Sequence, residues 1–101
     1  MVTEDIELVK DIFSILDAGI VEGYDTFIFE VEIGDGYIDV ELSVELNGSK
    51  TTNAKTNFNY SILYGLVKRL RANADQRGEC WDSFVMSYSK GGQVHTSFKY
   101  A

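Results

Sequence analysis

Apolar residues recur at two different periods along this chain, and the changes of period divide it into seven elements. Over residues 4–18, Ile6, Val9, Phe13 and Leu16, followed by Ile20, recur at three or four residues, the spacing that lines one face of a helix. Thr3 stands where an N-cap belongs, Glu4 and Asp5 suit the positive end of the helix dipole, and Gly19 or Gly23 ends the element. From Tyr24 the period becomes two, with Phe27, Phe29, Val31 and Ile33 on one side and Ile28, Glu30 and Glu32 on the other. After Gly34-Asp35-Gly36 the alternation resumes, setting Ile38, Val40, Leu42, Val44 and Leu46 against Asp39, Glu41, Ser43 and Glu45. That pattern predicts a half-buried antiparallel hairpin. Asn47-Gly48 then signals a type I′ turn, because both residues tolerate positive φ. A polar third strand is expected over residues 50–57, at a sheet edge.

The helical period returns over residues 59–77, where Leu63, Leu66, Val67, Leu70 and Ala74 form the apolar stripe. Asn57 or Asn59 caps its start and Gly78 stands where it stops. Two strands close the chain, over residues 80–89 and 93–100, joined by Lys90-Gly91-Gly92. The order is α-β-β-β-α-β-β. Tight turns between successive strands make the five-stranded sheet mainly antiparallel, and one of its faces is uniformly apolar. Two amphipathic helices on that face would bury all the stripes, giving a two-layer α+β domain with the other sheet face exposed. The 101 residues are enough for one domain spanning 1–101, and a hydrophobic fraction of 45% supplies its core.

Charge sharpens this picture. Residues 1–47 hold thirteen acids against one base, Lys10, a balance of −12; residues 48–101 hold eight bases against three acids, a balance of +5. Such asymmetry speaks to partners rather than to fold. The acids do not form one run. Glu30, Glu32, Asp39, Glu41 and Glu45 alternate with apolar residues on two strands and so share the outer sheet face, with Asp25 and Asp35 near its ends. Like charges on adjacent strands destabilise by roughly tenths of a kcal/mol per pair. A basic partner that recovers this cost on binding is the alternative to a merely solvated face.

Chemistry of other kinds is poorly represented. The single cysteine, Cys80, excludes an intramolecular disulfide and a thiolate zinc site, and is read as a small packing residue. His95 is the only histidine, and no serine has a nucleophile-elbow context, so no enzymatic activity is expected. There is no D-x-D-x-D-G loop, and neither a metal nor another cofactor is expected. Lys68, Arg69, Arg71 and Arg77 on the second helix, with Tyr60 and Tyr64, resemble a nucleic-acid platform, but bases near a helix C-terminus also suit its dipole, and the net charge of −7 opposes a polyanion. The opening residues lack the basic and apolar regions of a secretory signal, and no apolar stretch is long enough to span a bilayer, so a cytoplasmic location is expected. Trp81 falls out of phase with Phe84, Met86 and Tyr88. It either anchors a partner beside the acidic face or packs in the core.

The C-terminal stretch carries a resemblance. Trp81-Asp82-Ser83-Phe84 opens a strand, Lys90-Gly91-Gly92 makes its turn and Phe98-Lys99-Tyr100 closes the hairpin. In this outline, and in the helix, three-strand meander and long second helix before it, the chain resembles the YezG-like family of bacterial immunity proteins. Lys99 stands where an acidic residue is common in that family. The resemblance implies a small protein that binds and neutralises a cognate toxin domain, often a nuclease. The expected partner-binding residues are Glu30, Glu32, Tyr37, Asp39, Glu41, Glu45 and Trp81. The expected partner is the toxin protein itself, with no direct contact to nucleic acid or membrane. The alternative is an acidic nucleic-acid mimic that blocks a DNA- or RNA-binding protein.

Overall fold

Burial along the first helix follows a stripe other than the one its simplest periodicity predicts. The computed structural model describes residues 3–100, without the side chain of Thr3, so the cap expected there lies outside the described residues. Helix α1 runs Thr3–Gly19 and helix α2 runs Tyr60–Gln76. In α1 the buried residues include Asp5, Leu8, Ile12 and Leu16, while Ile6 is exposed and Val9 and Phe13 are half-buried. Apolar residues at Ile6, Leu8, Val9, Ile12, Phe13 and Ile15 form two overlapping stripes that share Leu16. Periodicity alone does not choose between them. In α2 the expected stripe holds except at Leu66, which is half-buried: Leu63, Val67, Leu70 and Ala74 are buried. Asn59 is its cap, its Oδ1 accepting from the N–H groups of Ser61 at 2.8 Å and Ile62 at 3.3 Å.

The chain divides into two compact units: a helical one, running to Val21 and then over Thr56–Cys80, and a sheet one, over Glu22–Lys55 and from Trp81 onward. Within the helical unit, α1 and α2 are joined at one end by charge. Asp5 is the only charged residue buried among those described, at 2% exposure. Its Oδ2 accepts from Arg77 Nη2 at 2.7 Å and its Oδ1 from Asn73 Nδ2 at 3.3 Å. Arg77 also donates through Nε to Glu79 at 3.1 Å. A second clasp, Arg69 to Glu4 at 2.8 Å, lies in solvent and contributes little.

The sheet unit contains β1 (Thr26–Gly34), β2 (Tyr37–Leu46), β3 (Ser49–Thr51), β4 (Trp81–Ser89) and β5 (His95–Tyr100). Their order across the sheet is β3-β2-β1-β4-β5, and every pairing is antiparallel. The fold is α+β with the expected element order. Asn47 and Gly48 have φ of 54° and 81°, as a type I′ turn requires. Strand β3 is shorter than the expected 50–57. Its pairing stops at Thr51, whose Oγ1 accepts from Asn53 N–H at 3.0 Å and turns the polar chain out of the ladder.

Register sorts the two faces. Phe27 lies opposite Val44, Phe29 opposite Leu42, Val31 opposite Val40 and Ile33 opposite Ile38, all on one face. Phe29 and Phe84 meet edge to face at 6.2 Å between ring centroids. Each large side chain so buried contributes about 1.5–3 kcal/mol relative to exposure.

Trp81 belongs to this buried face, and the expected surface role for it is corrected here. It is 2% exposed and packs on Phe84 at 5.3 Å and Phe98 at 5.5 Å between centroids. Trp81 pairs with Tyr100 while Ser83 pairs with Lys99, so β4 takes two steps where β5 takes one. That bulge inserts a residue and reverses the phase, bringing Trp81 to the side of Phe84.

Candidate functional site

On the opposite face of the sheet the register places like charges directly across from one another. Glu30 faces Glu41 and Glu32 faces Asp39 across β1 and β2. Directly opposed residues hold their Cβ atoms about 5 Å apart, and same-face neighbours along a strand lie about 7 Å apart. Four carboxylates therefore occupy a compact block. Its β4 border is Val85, opposite Glu30, and Ser83, opposite Glu32. These side chains line a shallow open depression of about 240 Å³.

Tyr37 closes one end of the block. It pairs with Gly34, and a Cβ added at Gly34 would overlap the Tyr37 ring, so the ring lies across the bare glycine backbone. Its hydroxyl donates to Glu32 Oε1 at 3.2 Å, and half of the residue stays exposed. That hydrogen bond, and then the negative charge of Glu32, push the Tyr37 phenol above its ordinary value, with Asp39 and Asp35 adding smaller effects in the same direction. Substituting Glu32→Gln is expected to bring this ionisation down toward the ordinary phenol range. Absorbance titration of the variant against wild type, with Tyr37→Phe identifying the transition, measures it. An unmoved transition would disprove the contact.

Among the described residues, the side chains of Glu30, Asp39 and Glu41 have no hydrogen bond or ion pair. Four acids of the helical unit contrast with them, whereas Glu7 and Asp11 of α1 are likewise without a hydrogen bond or ion pair among the described residues. Glu4 takes Arg69, Asp5 and Glu79 take Arg77, and Asp75 takes Arg71, which accounts for all three arginines of the chain. The basic end of α2 is thus largely occupied by its own unit's carboxylates. Lys99, opposite Ser83, is the base that the register brings into the rows of the block. It stands two strands from Glu32, about 10 Å away.

The remaining expected site residues separate. Glu45 lies on the same outer face but beyond Ser43, opposite Thr26 on one side and Lys50 on the other, so it falls outside the block and faces a base. Asp25 is structural: its Oδ2 accepts from Asn47 N–H at 2.8 Å, its N–H donates to the Glu45 carbonyl and its own carbonyl accepts from Lys90 N–H. Cys80 is exposed, not packed as expected, and Asp75 holds its thiol above the ordinary value chiefly through a hydrogen bond. A thiol held protonated is a poor nucleophile. Among the described residues no group of three His, Cys, Asp or Glu side chains is disposed to hold a metal ion.

Two apolar residues share the face: Ile28, which the alternation already sets beside Glu30 and Glu32, and Val85, which is not among the expected residues. Val85 is exposed and sits in the polar phase of β4, between Ser83 and Ser87; Ile28, half-buried, is opposite Ser87. They are diagonal neighbours in the register, beside the acids. An apolar residue in an otherwise polar phase is the signal that could have found Val85. Together they set a small apolar patch at the edge of the acidic block, flanked otherwise by Ser43, Ser83, Ser87 and Ser97.

These features define an α+β protein with an uncompensated acidic sheet face. No protein-family model matches the chain, and no curated protein matches it. No described helix is long and apolar enough to cross a membrane.

Proposed function

We propose that this chain is an immunity protein that neutralises a basic toxin domain of the nuclease class by covering its surface with the acidic sheet face. The observation that carries the reading is the contrast in pairing: the arginines are spent on helical-unit acids, while Glu30, Glu41 and Asp39 stand opposed to other acids with no partner. Such an arrangement costs the free protein stability and is relieved by a partner rich in Lys and Arg. Nucleases carry those residues to hold phosphates. Ile28 and Val85 supply the apolar contact that the buried Trp81 does not. The resemblance of the C-terminal stretch to the YezG-like immunity proteins supports the same role. The toxin is excluded from its target by occlusion, without chemistry, in the cytoplasm of the cell that makes both proteins.

Growth rescue tests the proposal. The C-terminal domain of the protein encoded beside this gene is induced in a host with and without this chain. Rescue accompanied by a stable co-purifying complex is the expected result. Equal toxicity in both hosts would remove that domain as the partner, and harmlessness of the domain would remove the toxin.

A further inference from the structure

We draw no further inference here: the strongest candidate, the apolar cleft where α1 ends and α2 begins, lined by Ile15, Ala18, Phe58 and Ile62, is an unpartnered surface, and nothing in the structure shows what covers it.

Discussion

Reversing Glu30, Asp39 and Glu41 to lysine is expected to abolish protection against the toxin while leaving the fold intact. All three positions are exposed on the outer sheet face, and none of their side chains makes a hydrogen bond or ion pair that folding needs. In the triple variant the two lysines introduced at positions 30 and 41 repel as the two glutamates did, whereas the lysine introduced at position 39 faces Glu32 and attracts it. The net effect on stability is expected to stay within about 0.5 kcal/mol. Binding loses three favourable charges and gains three unfavourable ones, and like-charge contacts across an interface cost several kcal/mol. Circular dichroism and thermal unfolding verify the fold, and the growth assay reads the function. A single Glu41→Lys serves as the control on the register. It turns an opposed pair of acids into an opposite-charge pair, so it is expected to raise stability by about 0.5 kcal/mol. Protection that survives the triple change would move the toxin to another surface.

The second large effect is on stability. Arg77→Ala is expected to lower the unfolding midpoint by roughly 10 °C or more, among the largest effects of any single surface-reaching substitution. The reason is asymmetric. Asp5 has only 3% of its side chain exposed, and removing Arg77 leaves that carboxylate with the Asn73 amide alone. Arg77 keeps 28% of its side chain in solvent and also holds Glu79, so it tolerates the loss of Asp5 far better. Asp5→Asn is therefore expected to cost only a few degrees, about 5 °C. The double variant should recover much of the Arg77→Ala loss, because no charge is then stranded. Thermal unfolding of the two single variants and the double measures this. If Arg77→Ala unfolds with wild type, the clasp between the two helices contributes nothing.

Legibility in the sequence depends on the range of the interaction. Strict alternation in β1 and β2, bounded by Asn47-Gly48, locates the hairpin and puts Glu30, Glu32, Asp39 and Glu41 on one face, because a strand has only two sides. The opposition of Glu30 to Glu41 follows from the hairpin turn once its length is known. Trp81 escapes such a reading because its out-of-phase position fits an exposed anchor as well as a bulge that reverses phase. The buried stripe of α1 escapes it because two stripes are equally apolar, and the partner of Asp5 lies 72 residues away. Arg69 and Arg77 likewise reach Glu4 and Asp5 over 65 and 72 residues, so which acids of α1 are compensated cannot be read locally. Composition registers only their sum.

The most direct measurement is the association rate of this chain with the toxin domain across ionic strength, made on the wild type and on the Glu30, Asp39 and Glu41 reversal. Association steered by the acidic face should slow by roughly tenfold or more as salt screens it. Dissociation should change little, because the apolar contact at Ile28 and Val85 is not screened. An affinity that instead collapses through faster dissociation would favour a nucleic-acid mimic. The reversed variant is expected to associate slowly at every salt concentration and to lose the wild-type slope. The same salt dependence in both proteins would contradict the central claim that this face captures the partner.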